Sequence, residues 1–243
     1  MADERSIADR LGALRAFLFD FDGTLVRQRV DFGLMRTRVR EVLTAHGVPL
    51  GPLEGLYVLE MVDRARRELA ARDGDRAEAL AREARVAIEE VELLGAEEAE
   101  ALPGAAELLG DLRGRGVGIG IVTRNCRVAV ERVLAREPLA HDVLLTRDDV
   151  RHVKPDPRHL LSALEMLGVD GAQAAMCGDH PMDIAAGHRV GALTVGVLAD
   201  GADEGFFAEV RPELLVRGVG ELRGYLCGSE HAPSEAPRGC RHG

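Results

Sequence analysis

Ala16-Phe17-Leu18-Phe19 is a short apolar run that ends in Asp20-Phe21-Asp22-Gly23-Thr24-Leu25, and this stretch constrains the chain more than any other. An unbroken apolar run of this length reads as a strand covered on both faces, as in the centre of a parallel sheet. Side chains two apart on a strand share a face, so Asp20 and Asp22 should point the same way at its C-terminal end. Open α/β sheets bind ligands along that edge. Two carboxylates this close repel each other and lose hydration. Protonating one, or placing a divalent cation beside both, relieves the conflict. Gly23 allows a sharp turn, and Thr24 can cap the segment after it. The plainer alternative is that both acids only cap a loop.

The rest of the chain must therefore supply a sheet and its covering helices, and 243 residues suffice for one α/β domain with an inserted module. Hydrophobic residues make up 46% but aromatics only 3%, so Leu, Val and Ala must fill the core. A formal net charge of −10 argues against nucleic acid or an anionic membrane as partner. Any phosphate site must then create its own local positive field. Of 31 basic residues only Lys154 is lysine, which hints at a site wanting a compact ammonium rather than a planar guanidinium. Cys126, Cys177, Cys227 and Cys240 show no paired spacing, so neither a disulfide framework nor a zinc site is expected, and a reducing cytoplasm fits. Met1 to Arg10 lack the apolar centre of a signal peptide, and no run reaches the length of a membrane span.

Between residues 26 and 100 the strand–helix alternation stops. Helices are expected over Asp31–His46, Glu54–Arg72 and Arg76–Leu94, with a short fourth piece over Glu97–Leu102. A helical module inserted directly after the aspartate loop is placed to close over it, or else merely stabilises the fold. Pro103-Gly104 returns the chain to the core, giving 1–25 and 101–227 as an α/β unit, 26–100 as a helical cap and 228–243 as a disordered tail. Within that unit a helix is expected over 105–113 and a second strand over Val117–Val122. Thr123-Arg124-Asn125 and a helix from about Cys126 come next. A hydroxyl at a strand end before free helix amides is a ready phosphate site, or else a simple N-cap in which Thr123 or Asn125 satisfies those amides. A third strand covers Asp142–Thr146, and two prolines then hold Lys154 in a stiff loop before a helix over 158–167. The fourth strand, Ala174–Cys177, ends in Gly178-Asp179-His180-Pro181-Met182-Asp183, where a second acid pair can share one crevice. His180 is either a ligand or a local hydrogen-bonding residue. A fifth strand over 193–198, a turn over 199–203 and an edge strand over 214–216 complete the unit.

The order Asp-x-Asp, hydroxyl, lysine, acid pair, each at a strand end, resembles the four motifs of the haloacid dehalogenase superfamily over roughly residues 14–220. The Gly-Asp-x-x-x-Asp form and the position of the helical insertion look like the phosphoglycolate phosphatase and β-phosphoglucomutase branch. That resemblance implies an α/β, Rossmann-like, doubly wound and mostly parallel sheet with an inserted helical cap. It implies Asp20 as nucleophile, Asp22 as general acid and base, and Mg2+ held by Asp20, the Asp22 carbonyl, Asp179 and Asp183. Thr123, Arg124, Asn125, Gly23, Thr24 and Lys154 are implied around the phosphate. Asp22 argues against the dehalogenase activity that names the superfamily. The expected partner is a small phosphorylated metabolite, with no nucleic acid and no membrane, the protein being a monomer or homodimer. A phosphomutase or a silent phosphate-binding module remain the alternatives. No G-x-G-x-x-G follows the first strand, against a plain dinucleotide-binding domain. Cap arginines such as Arg36, Arg38 and Arg64 either meet an anion or solvate helices, and Cys126 is either inert packing or a redox-sensitive thiol.

Overall fold

The chain enters through a helix the sequence did not announce, α1 (Ala2–Gly12), whose Leu11 is buried. The computed structural model describes residues 2–27, 29–198 and 203–226, with the side chains of α1 from Ile7 onward. The expected tail from 228, Cys227, Cys240 and nearly all of the expected 199–203 turn lie outside the described residues. The central strand β1 (Ala16–Phe19) is buried along its whole length, as a run without a polar face requires. Val26 then pairs with Ala101 across an antiparallel bridge, so the segment leaving the sheet and the segment returning run side by side.

Three helices fill the interval. Asp31 caps α2 (Phe32–Ala45), its carboxylate accepting from the Leu34 amide at 2.8 Å. A 3-10 turn at Gly51–Leu53 and Gly55 at φ +79° delay α3 (Val58–Ala70), which starts four residues later than expected. Asp73 caps α4 (Gly74–Glu98) in the same way as Asp31 caps α2. The expected separate piece at 97–102 does not form, because α4 runs straight through Gly95. A Cβ there would lie 3.0 Å from the backbone of Arg29 and Val30, so this glycine marks a close approach of the outgoing chain, not a helix end. Met35, Val39, Leu43, Met61, Leu80 and Ile88 give the three helices an apolar cluster of their own. Each such side chain contributes about 1.5–3 kcal/mol when fully buried.

The remainder alternates, with α5 (Ala105–Gly114), β2 (Gly118–Val122), α6 (Arg127–Arg136), β3 (Val143–Leu145), α7 (Pro157–Leu167), β4 (Ala174–Gly178), α8 (Pro181–Val190), β5 (Leu193–Val197), β6 (Leu214–Val216) and α9 (Leu222–Leu226). The six strands form one sheet in the order β3-β2-β1-β4-β5-β6, every described pair parallel. This is the doubly wound α/β fold, and its strand order reverses between β1 and β4. Phe19 pairs with both Ile121 and Cys177, so the ends of β1, β2 and β4 lie level and the residues after them meet. Among the described residues no helix is long and apolar enough to cross a membrane.

Candidate active site

The acids converge where the strand order reverses. Asp20 and Asp22 follow β1, and Asp179 and Asp183 follow β4 and start α8. One carboxylate oxygen from each of Asp20, Asp179 and Asp183 lies within 4.8 Å of the other two. Lys154, only 1% exposed, reaches in from the loop after β3 and donates to Asp20 Oδ1 at 2.7 Å, with Asp183 Oδ1 also at 2.7 Å. The peptide bond between Lys154 and Pro155 is cis. The single lysine of the chain is thus a buried counter-charge to two acids. Gly23 holds φ +80°, and a Cβ there would lie 2.1 Å from the Asp179 carboxylate. The turn must carry glycine for Asp179 to come this close.

Burial raises the pKa of all three remaining acids. Asp22 is pushed up to about 7 by burial and then by Asp20, against a hydrogen bond from Asn125. Asp179 rises to about 8 through burial, Asp20 and Asp183. Asp183 rises to about 6 because burial and Asp20 outweigh Lys154. Burial works against the Lys154 charge, yet Asp183 and Asp20 raise its pKa and keep it an ammonium. A cluster of hard oxygen donors with raised pKa values is under-neutralised, and that donor set fits a hard divalent cation. The Asp22 carboxylate stands outside it and accepts from Asn125 Nδ2 at 3.0 Å.

The loop after β2 takes the N-cap form of its two alternatives. The amides of Asn125, Cys126 and Arg127 are not free for phosphate but taken. They donate to Thr123 Oγ1 at 3.0 Å, Asn125 Oδ1 at 2.8 Å and Asp148 Oδ2 at 2.9 Å. α6 begins at Arg127 with Cys126 as N-cap, and the side chains of Thr123, Asn125 and Asp148, not that of Cys126, satisfy these amides. The hydroxyl hydrogen of buried Thr123 remains available to donate, since its oxygen is what accepts from Asn125. Gly23 and Thr24 do not line the cavity, and the Thr24 hydroxyl faces Asp179 Oδ1 at 3.4 Å. Arg124 does line it, but its guanidinium spans from Glu60 of α3, at 2.8 and 2.9 Å, to the Lys154 carbonyl at 2.9 Å. It therefore ties the helical segment to the sheet edge.

The cavity above the acids measures about 400 Å3, and α2, α3 and α4 form its far wall. His180 is a local cap rather than a member of the acid cluster, its Nδ1 accepting from the Met182 amide at 3.1 Å. Arg38 and Arg64 sit in exposed ion pairs with Glu90 and Glu68, but Arg36 faces the cavity. The Cys126 thiol is fully buried, and burial with the nearby Glu92 carboxylate pushes its pKa up to about 12, so it packs and does not react. Glu92 is a site residue that the motifs do not disclose. It is buried on α4, paired with Arg147, and lines the cavity. Burial raises its pKa against the pull of Arg147. Its signal is positional, because Leu80, Ala84, Ile88 and Glu92 fall on one helical stripe where an acid is out of place.

The family model for haloacid dehalogenase-like hydrolases matches residues 14–191. Among curated proteins, the pyrophosphatase PpaX of Bacillus cereus is 34% identical over 118 residues, 48% of this chain and 55% of that protein. The chain thus spans about half the length of the curated relatives it matches. A hydrolase from Pseudomonas syringae superposes with a TM-score of 0.64 at 27% identity, over 88% of this chain and 98% of that one. The β-phosphoglucomutase of Clostridium difficile superposes at 0.63 over 88% and 97%, with 18% identity, which bears on the fold alone.

Proposed function

The chain belongs to the haloacid dehalogenase-like hydrolase family, and from that premise we propose that it is a Mg2+-dependent phosphomonoester hydrolase that passes the phosphoryl group of a small metabolite through Asp20. One observation carries this reading. Two neighbouring carboxylates have opposite surroundings, Asp20 held on the Lys154 ammonium and Asp22 held by Asn125 with its pKa near 7. A pair of acids so divided suits a nucleophile beside a proton donor.

The Asp20 carboxylate attacks phosphorus, the ester P–O bond breaks, and Asp22 gives its proton to the departing alcohol oxygen. Asp22, now ionised, takes a proton from water as that water attacks the aspartyl phosphate. Inorganic phosphate leaves and Asp20 is restored. A pKa near 7 lets Asp22 serve in both directions. Lys154 balances charge on Asp20 and on the transferring group, and the Thr123 hydroxyl donates to a phosphoryl oxygen. Asp20, Asp179 and Asp183, with the Asp22 carbonyl, would hold Mg2+, which neutralises the acids and polarises the phosphoryl oxygens. The segment 26–100 would act as a cap that excludes water.

Hydrolysis of p-nitrophenyl phosphate with and without Mg2+, beside an Asp20→Asn variant, tests the reading. Metal-dependent turnover that the variant loses supports it. Turnover that survives in Asp20→Asn, or a folded protein that neither hydrolyses phosphate esters nor binds beryllofluoride with Mg2+, refutes it.

A further inference from the structure

The two walls of the cavity differ in kind, and the far wall bears on what alcohol leaves. Opposite the acids stand Val30, Phe32, Met35, Val58, Leu59 and Ile88. None of these side chains can donate or accept a strong hydrogen bond. Phe32 and the ring of Tyr57 are each half exposed and also line the cavity, so the way in is aromatic as well. The polar groups on this side are engaged except for Glu92 Oε2, which is buried without a hydrogen-bond partner. Arg36 donates Nη2 to the Leu56 carbonyl at 2.6 Å and Nη1 to the Met61 sulfur at 3.2 Å. The Tyr57 hydroxyl lies 3.3 Å from His180 Nε2. The Arg124 guanidinium is paired with Glu60, and the one buried acid on this side, Glu92, is paired with Arg147.

Two familiar leaving groups fit this wall poorly. A polyhydroxylated sugar would press hydroxyls against side chains that cannot replace their water, a loss of roughly tenfold or more for each one left unpaired. A second phosphate or a carboxylate would find Arg124 already paired with Glu60, and would have to draw Arg36 off the Leu56 carbonyl and the Met61 sulfur to gain a cation. An alkyl or aryl group meets neither penalty and gains burial. We infer that the phosphatase proposed above, a reading on which this inference rests, prefers the phosphate monoester of a compact hydrophobic alcohol over pyrophosphate and over sugar phosphates. Hydrolysis then releases that alcohol and inorganic phosphate, with water supplying the new oxygen on phosphorus.

Two series separate the pocket from the chemistry. The first is calorimetric binding of n-alkylphosphonates from methyl to hexyl, with Mg2+ present, since a C–P bond cannot be hydrolysed by this route. Affinity should rise about fourfold per added methylene until the cavity is full, which is about 0.8 kcal/mol each. The second is kcat/KM for n-alkyl phosphates of similar leaving-group acidity, beside glucose 6-phosphate, phosphoglycolate and pyrophosphate. Butyl phosphate should exceed each of these three by at least tenfold, and Leu59→Asn should flatten the dependence on chain length in both series. Flat phosphonate affinity overturns the inference whatever the enzyme does. So does an Asp20-dependent preference for a sugar phosphate, phosphoglycolate or pyrophosphate, and in that case the phosphatase reading stands. Rising affinity with no Asp20-dependent turnover keeps the apolar pocket and removes the phosphatase.

Discussion

The two walls of the cavity are built by opposite means. On the sheet side Asp20, Asp22, Lys154, Asp179 and Asp183 come from the ends of three strands, and each of the first three touches a named charged or amide partner within 3.0 Å. On the helical side Val30, Met35, Leu59 and Ile88 offer only contact area. Directional partners make the sheet side an interlocked unit around Lys154, whose removal strands two acids in a buried site. Non-directional contact makes the helical side tolerant, because a changed side chain alters shape without orphaning a charge. One fold thus keeps the chemistry rigid and leaves selection free to vary.

The comparison breaks most visibly at Asp20. Asp20→Asn should lower kcat by at least about 10^4-fold while leaving the fold intact. Its carboxylate raises the pKa of Asp22, Asp179 and Asp183, so removing that charge should also raise the melting temperature of the metal-free protein. A variant that loses both activity and stability would mean that Asp20 is mainly structural. Lys154→Met acts in the other direction. It leaves Asp20 and Asp183 buried without their cation, which costs about 3–5 kcal/mol, on the order of 10 °C in melting temperature. Activity should fall about 10^2–10^3-fold. An Arg at 154 should not rescue it, because a planar fork does not fill the place of a compact ammonium between two acids.

A smaller effect comes from proton linkage in the metal-free protein. Asp183, Asp22 and Asp179 have folded pKa values of about 6, 7 and 8, above the value near 4 of an unfolded chain. The folded state binds these protons more tightly, so their contribution is fully present below about pH 4 and is lost as pH rises through 6 to 8. Metal-free protein should therefore melt lower at pH 8.5 than at pH 5.5. Mg2+ should raise the melting temperature more at pH 8.5, where the acids are ionised and no proton competes. An equal Mg2+ shift at both pH values, read by differential scanning fluorimetry, would place the metal away from these acids.

The two walls also differ in how far the sequence discloses them. The sheet side is legible because its residues are chemically rare in their setting. An acid directly after the apolar run 16–19, another one glycine beyond the run 174–177, and one lysine in a chain of arginines stand out whatever the fold. The partners that hold them are less so. An N-cap by Thr123 and Asn125 is one of the two forms the sequence allows, but that Asn125 also turns its side-chain amide to Asp22 depends on loop geometry that no spacing encodes. On the helical side only the elements are legible. Which faces of α2, α3 and α4 look into the cavity is set by packing between helices, so the apolar wall passes as ordinary core, and the stripe position of Glu92 marks it as buried without saying what it lines. Even the helix count fails at Gly95, where close packing and a helix stop leave the same mark in a sequence.

The smallest effect tests the join between the walls. Arg124 and Glu60 pair at 2.8 Å with side chains 17% and 36% exposed, and the Arg124 guanidinium lies 5.7 Å from the centre of the Tyr57 ring. Water reaches part of this pair, so its coupling should be about 0.5–1 kcal/mol rather than that of a buried bridge. Glu60→Gln and Arg124→Gln should each lower kcat/KM by about fivefold, and the double variant by little more than either, the signature of one shared contact. Salt at about 0.5 M should bring the unaltered protein down toward Glu60→Gln, because a partly exposed pair is screened. Asp20→Asn and Lys154→Met should share that salt dependence far less, since Lys154, at the centre of their contacts, is only 1% exposed. Additive losses in the double variant would mean that Arg124 serves the sheet side alone, through the Lys154 carbonyl, and that the walls are joined elsewhere, with the buried pair of Glu92 and Arg147 the next to test.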